Sequence, residues 1–422
     1  MEKKYYKYFD ETRYEETLEN GLRVIIFHKP EFSTSVCAFG TPYGALKINQ
    51  KLNGKKYNFN PGIAHFLEHK LFESKGDDIM TAFSSMGANV NAFTSYRETV
   101  YYFSKTGEDI KDPLNLLLDF VQDMNISEKS VEKEKGIINQ EISMYMQMPD
   151  QRLLHEAYKC MYHNYPIKYD IGGNKESIYA ISKKELDTCY RINYHPSNMV
   201  LCITSPINPK KIIKIVKENQ KKKDFKQADK PISNNLEEPI EVVKKKYSFK
   251  MPINTNKHLY GIKLKPQFKS IYEAFKAEWA LRILFDCHFT SINPSYQEWL
   301  DKKIINDYFG YEIEFDLECA YILFYIENND SNILINLINN SLKQELLDEE
   351  KLEQIKRRYI GSMFSVFNDV EGFNNGFIRD YLSGLDLFDA LECLKSITLK
   401  DVENVYSSIS FEHSTYVSMI KK

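Results

Sequence analysis

The stretch Gly62–Glu73, GIAHFLEHKLFE, holds two histidines and a glutamate in the pattern H-x-x-E-H: His65, Glu68 and His69. Pro61 precedes it, at a place where prolines often open a helix. Residues four apart share one face of a helix, so both imidazoles can reach one ion while the Glu68 carboxylate lies beside it. The stretch therefore predicts a helix that offers two ligands to zinc.

A catalytic zinc site takes three protein ligands and keeps a further position open, so a third ligand is needed. Ser127–Gln147 is typical of a helix, because apolar residues recur along it at helical spacing. Glu134 and Glu141 are two turns apart on one face of that helix. Carboxylates on a half-buried face are costly unless something compensates their charge, and a metal ion would do so.

Four segments of the chain resemble the pitrilysin-type (inverzincin, M16) zinc metallopeptidases, in particular the zinc-bearing subunit of the bacterial two-component kind. The segments are Asn20–Ile25 (NGLRVI), Ala64–His69 (AHFLEH), Asn91–Ser95 (NAFTS) and Glu134–Glu141 (EKGIINQE). Family members carry the third ligand on the last glutamate of such an E-x6-E element. The resemblance therefore implies one Zn²⁺ per chain, held by His65, His69 and Glu141, with Glu134 as a supporting neighbour of the ligands.

The NAFTS segment belongs to a pair of alternating stretches, Asn89–Ser95 and Thr99–Ser104, which predict two adjacent strands. A strand at the edge of a sheet can accept an extended peptide as an added strand. By resemblance, Asn91, Ala92 and Phe93 contact the substrate. Without the resemblance, an ordinary strand with Phe93 in the core remains the alternative.

The residue types at the predicted zinc site point to hydrolysis. Zinc acidifies a water molecule that it binds, and Glu68 would take the water's proton and later pass it to the leaving amine. Two function classes stay open: a zinc endopeptidase acting on extended peptides or small proteins, and a non-catalytic peptide-binding or structural member of the same fold. Glu68 favours the first, since a binding role has no use for a general base.

One region departs from the family pattern. Gly310–Glu327 (GYEIEFDLECAYILFYIE) contains tyrosines but no arginine. By resemblance, catalytic members use an Arg and a Tyr from this region to hold the substrate carbonyl, and in two-component enzymes a homologous subunit without the zinc motif supplies that pair. We expect this chain to be the catalytic subunit of such a heterodimer, with little or no activity alone.

The length of 422 residues and a hydrophobic content of 43% are enough for two or more cores. Lys221–Lys246 is dense in Lys, Asp, Asn, Pro and Glu, which is typical of an exposed linker. The segments Ile181–Tyr190 (ISKKELDTCY) and Ile397–Tyr406 (ITLKDVENVY) echo each other, which indicates two copies of one unit. A helix predicted at Ile271–Phe285 in the second copy has no histidine pair.

These observations predict an α+β fold of two homologous domains, each a mostly antiparallel sheet packed with helices, as in pitrilysin and mitochondrial processing peptidase. We place the domain with the zinc site at 1–218, a linker at 219–246 and a domain without a metal site at 247–422.

Composition and charge limit which classes of partner we expect for the protein and in which cellular compartment we expect it. A net charge of −3, from 56 basic and 59 acidic residues, provides no field for nucleic-acid binding. The N-terminus lacks an apolar signal segment, and no run approaches the roughly 18 apolar residues that span a bilayer. Seven cysteines without a C-x-x-C pattern suit reduced thiols. We expect a soluble cytoplasmic protein whose partners are a peptide and a homologous subunit, with no nucleic acid and no membrane.

Two local predictions concern the surroundings of the zinc helix. Lys47–Asn60 is polar and contains glycine, which predicts an exposed loop that either shapes access to the site or is a tolerated insertion. Asp112 and Pro113 predict the start of a helix, with Asp112 as its N-cap.

Overall fold

The computed structural model describes residues 1–74, 77–226 and 228–422, which form two compact units. The first unit comprises Met1–Ser143, Tyr169–Asn235 and Met363–Leu387. The second comprises Met144–Lys168, Leu236–Ser362 and Phe388–Lys422. Each unit combines a mostly antiparallel sheet with helices, so the predicted α+β fold is confirmed.

The two units do not follow the order of the chain, because each takes segments from both halves. The predicted domains, 1–218 and 247–422 with a linker at 219–246, are consecutive segments of the chain, and this division remains a prediction. Gln227 of that linker lies outside the described residues.

The first unit is built on a seven-stranded sheet with the order β1-β2-β3-β11-β4-β10-β9. All neighbours are antiparallel except β3 and β11, which are parallel. Within the described residues, β9 forms one edge of this sheet and pairs with β10 alone. The strands are β1 (Glu2–Tyr6), β2 (Glu11–Thr17), β3 (Arg23–His28), β4 (Thr34–Thr41), β9 (Asn89–Thr94), β10 (Thr99–Thr106) and β11 (Val200–Ser205).

The helices that lie wholly or mainly in the first unit are α1 (Ile63–Leu71), α2 (Ile79–Ser85), α3 (Lys111–Gln122), α4 (Glu128–Tyr145), α6 (Lys175–Ala180), α7 (Lys183–Asn193), α8 (Pro209–Gln220) and α13 (Val370–Leu382). Two-residue strands, β7 (Glu73–Ser74) and β8 (Asp77–Asp78), pair between α1 and α2. The described part of the chain contains no helix with the length and hydropathy needed to cross a membrane.

Helix α13 comes from the C-terminal half of the chain but packs on the first unit's sheet. Phe373 and Phe377 each meet Phe27 edge-on, with ring centroids 4.8 Å apart. A side chain at Gly40 would lie 2.6 Å from Leu382 Cδ1, so the glycine allows the helix its close approach. Burial of these aromatic rings makes α13 part of the first unit's core.

The predicted exposed loop at Lys47–Asn60 is wrong. Asn49–Leu52 (β5) and Lys55–Asn58 (β6) form a hairpin, and Ile232–Ser233 (β12) adds a third strand to it. Asn53 and Gly54 both have positive φ, as a two-residue Asn-Gly turn requires. The Asn-Gly pair was therefore the signal for a hairpin at this point of the sequence.

The N-cap predicted for α3 is also wrong. The helix begins at Lys111 after Ile110, whose side chain makes no capping hydrogen bond. Asp112 lies in the first turn instead, where its negative charge interacts favourably with the positive end of the helix dipole and stabilises the helix.

The second unit contains a five-stranded sheet with the order β13-β17-β14-β16-β15. Its neighbours are antiparallel except β13 and β17. The strands are β13 (Lys246–Met251), β14 (Lys257–Leu264), β15 (Gly310–Phe315), β16 (Ala320–Glu327) and β17 (Ser414–Lys421). The helices that lie wholly or mainly in this unit are α5 (Pro149–Met161), α9 (Ile271–Phe289), α10 (Tyr296–Asp301), α11 (Ile333–Ser341), α12 (Glu349–Val366), α14 (Leu387–Lys395) and α15 (Leu399–Ser407).

The start of α1 is fixed by a close backbone contact. Gly62 is the N-cap residue and has a φ of 90°, a conformation that favours glycine. A Cβ at Gly62 would collide with the carbonyl oxygen of Gly172, and one at Gly173 would collide with that of Pro61. The turn at 172–173 therefore holds the beginning of the helix that carries His65 and His69.

Candidate metal centre

Helices α1 and α4 bring the three predicted ligands together. Nε2 of His65 lies 3.8 Å from Oε2 of Glu141, and Nε2 of His69 lies 3.5 Å from the same oxygen. The two imidazole rings are 4.5 Å apart between centroids. One ligand atom from each residue lies within 4.8 Å of the other two, so the side chains converge on a common point.

This arrangement fits a zinc ion. A tetrahedral zinc with bonds of about 2.0–2.1 Å places its ligand atoms roughly 3.3–3.5 Å apart, close to the two distances to Glu141. Two nitrogens and one carboxylate oxygen are a common ligand set for catalytic zinc. The His65 ring is largely buried, and its Nδ1 has no hydrogen-bond partner among the described residues, so a metal at Nε2 would give the ring a polar partner at its other nitrogen.

Electrostatics also favour a cation between the ligands. Burial and, to a smaller extent, the neighbouring His69 lower the pKa of His65 to about 3, although Glu134 opposes them, so this imidazole is neutral and free to coordinate. Burial also lowers the pKa of His69, but its hydrogen bond to Glu134 and the negative charges of Glu134, Glu68 and Glu141 outweigh burial and raise it. These carboxylates create negative potential where a divalent cation would bind.

Glu134 lies behind the ligands, in the supporting place that the resemblance implied for it. Its Oε1 accepts a hydrogen bond of 3.1 Å from Nδ1 of His69. With the proton on Nδ1, the Nε2 lone pair of His69 points to the metal position. Burial raises the pKa of Glu134, but its bonds to His69 and Lys70 outweigh burial and lower it, which keeps the carboxylate ionised.

Lys70 is a residue of this centre that sequence reasoning missed. It is 1% exposed, and its Nζ lies 3.1 Å from Oε2 of Glu134. The same ammonium group donates to Glu73 and lies 3.5 Å from the carbonyl oxygen of Ser130. The available signal was a lysine in a helical stretch rich in apolar residues, but a lysine at such a position is usually solvated.

Glu68 lies on α1 beside the three ligands but does not belong to their cluster. Its Oε2 accepts a hydrogen bond of 2.5 Å from Oγ1 of Thr94, the last residue of strand β9. Burial raises the pKa of Glu68, while the Thr94 hydrogen bond and His69 oppose the rise. Thr94 lies in the NAFTS segment, yet no role was predicted for it.

The predicted substrate-contacting residues lie on strand β9, at the sheet edge. Asn91 is exposed, and its Oδ1 accepts a hydrogen bond of 2.8 Å from the backbone N–H of Ala92. Phe93 is half-buried, with its ring centroid 6.4 Å from that of Tyr102. Their contacts with a substrate remain a prediction.

In the second unit, Gly310–Glu327, the region whose sequence contains no arginine, includes strands β15 and β16. Arg282 lies on helix α9, and its Nη2 is 3.0 Å from Oε1 of Glu278. Tyr311 of β15 donates a hydrogen bond of 2.7 Å to Asp286. The ion pair and the hydrogen bond engage both side chains within their own unit.

Comparisons with known proteins agree with this geometry. Residues 55–175 match the family model "Insulinase (Peptidase family M16)", and residues 180–359 match "Peptidase M16 inactive domain". The chain is 36% identical to "Uncharacterized zinc protease YmfH" of Bacillus subtilis, over 99% of this chain and 98% of that protein. It is 28% identical to "Probable mitochondrial-processing peptidase subunit beta" of Schizosaccharomyces pombe, over 48% of this chain and 43% of that protein.

Among solved structures, one described as an M16-like peptidase from Alicyclobacillus acidocaldarius is 29% identical and superposes with a TM-score of 0.91. The match covers 98% of this chain and 99% of that one. A protease from Helicobacter pylori, 18% identical with a TM-score of 0.81, shares the fold. A relative matches nearly the whole length of this chain, and two models of the family match in order along it. The chain therefore belongs to peptidase family M16, as its four segments predicted.

Proposed function

We propose that this chain is a zinc-dependent metalloendopeptidase that hydrolyses peptide bonds in extended peptides or small proteins. The observation that carries the proposal is the convergence of His65, His69 and Glu141, with Glu68 beside them. A purely structural role would require no carboxylate next to the ligands. The name zinc protease given to a relative supports the same activity.

Each residue of the site has its own role in the proposed reaction. His65, His69 and Glu141 would hold the zinc ion, which when bound supplies a Lewis acid that polarises the scissile carbonyl. Glu68 takes a proton from the attacking water and passes it to the leaving nitrogen. Its burial raises its pKa and makes it a stronger base than an exposed carboxylate. Glu134 and Lys70 keep His69 oriented.

Strand β9 offers the place for the substrate. It lies at the edge of the seven-stranded sheet, and its last residue contacts Glu68. An extended peptide that paired with β9 would pass along Asn91, Ala92 and Phe93. This pairing selects for substrates without stable structure at the cleaved bond.

We further propose that the chain works as the catalytic subunit of a heterodimer. Its partner would be a homologous M16 subunit without the zinc motif, which supplies the Arg and Tyr that hold the substrate carbonyl. In support, Gly310–Glu327 contains no arginine, and the nearby Arg282 is paired with Glu278. One relative is itself named as a subunit, of mitochondrial-processing peptidase. We place the complex in the cytoplasm, in keeping with seven free cysteines.

The decisive experiment compares wild type with Glu68→Gln, each alone and with the copurified partner, on a library of unstructured peptides. Metal analysis should find about one zinc per chain, and chelation should abolish cleavage. Cleavage should rise strongly when the partner is added and should vanish in Glu68→Gln. A chain that binds no zinc and cleaves nothing with its partner would instead be the non-catalytic, peptide-binding member of the fold.

A further inference from the structure

We propose that Thr94 is a positioning residue for Glu68: its hydroxyl holds one carboxylate oxygen and thereby links the edge strand β9 to the general base. This inference rests on the proposed function. The contact that carries it joins Oγ1 of Thr94 to Oε2 of Glu68 at 2.5 Å. Since a carboxylate only accepts, the hydroxyl must be the donor.

The contact leaves the second carboxylate oxygen available. No described residue donates a hydrogen bond to Oε1 of Glu68, while Oε2 is occupied by Thr94. A general base has to lie within hydrogen-bond reach of the proton that it removes. Fixing Oε2 therefore turns a side chain with free rotation into one that presents a single oxygen to the site.

Thr94 is itself held firmly. It lies opposite Thr99 of β10 in the sheet register, and the two hydroxyl oxygens are 3.4 Å apart. Thr99 is fully buried, and its hydroxyl donates a hydrogen bond of 2.8 Å to the carbonyl oxygen of Tyr43. A β-branched side chain in a strand also has few rotamers, so the Thr94 hydroxyl has a defined direction.

The position of Thr94 in β9 connects the base to the substrate strand. Side chains alternate along a strand, so Thr94 shares a face with Ala92, while Asn91 and Phe93 point the other way. A peptide that pairs with β9 would stiffen the strand whose last side chain holds Glu68. Substrate binding and orientation of the base are in this way coupled through one residue.

The test uses two substitutions at one position in the zinc-loaded full chain with its partner. Thr94→Val keeps the shape and strand preference of threonine but removes the hydroxyl, and Thr94→Ser keeps the hydroxyl. Thr106→Val is the matched control, because Thr106 is exposed and its hydroxyl contacts only Thr34 among the described residues. Zinc content should stay the same in all three variants.

The first measurement does not depend on activity. The carboxylate bands of Glu68 are isolated by infrared difference spectroscopy between each protein and its Glu68→Gln counterpart. These bands should shift in Thr94→Val and keep their wild-type position in Thr94→Ser and Thr106→Val. Unchanged bands in Thr94→Val would overturn the proposal whether or not the chain cleaves peptides.

The second measurement is kinetic. In Thr94→Val, kcat should fall about tenfold to a hundredfold with little change in KM, part of the roughly 10²–10⁴-fold that a general base contributes. Thr94→Ser should restore most of the loss. Shifted bands in a protein that never cleaves would refute the proposed function but support the contact, whereas unchanged kcat in an active Thr94→Val enzyme would overturn the positioning role.

Discussion

Nζ of Lys70 lies 3.1 Å from Oε2 of Glu134, and the other oxygen of that carboxylate accepts a hydrogen bond from His69. The lysine follows His69 directly in α1, whereas Glu134 lies on α4. A buried cation thus holds the carboxylate that orients His69, a predicted zinc ligand. The ion pair joins the two helices on which all three predicted ligands lie.

Lys70→Met should weaken both the fold and zinc binding. Breaking a buried ion pair by removing one partner typically costs about 3–5 kcal/mol, because the other charge stays buried and unpaired. Loss of support behind a ligating histidine should reduce zinc affinity by about 10- to 100-fold. Hydrogen exchange of α1 and α4 measures the first effect, and zinc competition against a chromophoric chelator measures the second.

The double substitution Lys70→Met/Glu134→Gln is the control for this prediction, since it removes both charges of the Lys70–Glu134 pair. It should destabilise the protein by less than the sum of the two single substitutions. Additive losses would show that the pair contributes nothing.

Glu141→Gln should lower the zinc content from about one per chain to well below one, because the amide oxygen is a much weaker ligand than a carboxylate. Glu132→Gln is the matched control on the same helix, since the Glu132 side chain is 64% exposed and pairs with Lys135. Metal analysis after dialysis against a weak chelator distinguishes the two. Equal zinc retention in both variants would rule out Glu141 as a ligand.

Glu68→Gln should keep its zinc but lose activity. Removal of a general base costs roughly 10²–10⁴-fold in rate, while the three ligands are untouched. Steady-state cleavage of a peptide substrate, with zinc content measured on the same sample, separates the two effects. A variant that lost zinc along with activity would point to a structural role for Glu68.

Stability of the second unit should depend on pH through Glu278. Burial and, to a smaller extent, Glu314 raise the pKa of Glu278 from an ordinary value of 4.5 to about 7, although Arg282 opposes the rise. Between these values the folded protein holds a proton that the unfolded chain has lost. The free energy of unfolding therefore falls as pH rises from 4.5 to 7.

Glu278→Gln should remove this loss. Between pH 5 and pH 8, wild type should lose roughly 2 kcal/mol more stability than the variant, at about 1.36 kcal/mol per pKa unit. Both tryptophans, Trp279 and Trp299, lie in the second unit, so their fluorescence during urea unfolding reports this change. Exposed Glu345→Gln serves as control and should follow wild type.

The zinc helix was predictable because its pattern is local. His65 and His69 are one helical turn apart, so their shared face follows from helix geometry alone. The same helical periodicity predicted that Glu134 and Glu141 lie on one face of a second helix. The approach of the two helices to each other was predicted only from the family resemblance. Helical periodicity shows which face of a helix is buried, but it does not show which element that face packs against.

The rest of the site depends on contacts between distant segments. Lys70 and Thr94 matter through Glu134 and Glu68, and nothing in their immediate sequence reveals those partners. The Asn53-Gly54 turn was a local signal, but the polar composition around it favoured a loop. No helix was predicted at Val370–Leu382, and helical periodicity there would not have said which sheet the helix covers.

Helix α13 limits how the chain can be divided into fragments. A polypeptide ending at Lys246 would lack Phe373 and Phe377, and the ring of Phe27 would lose its edge-on contacts with these two residues. The other fragment would lack Met144–Lys168, which belong to the second unit. Each piece would thus be missing a segment of its own unit, so we expect neither to fold into a stable protein alone.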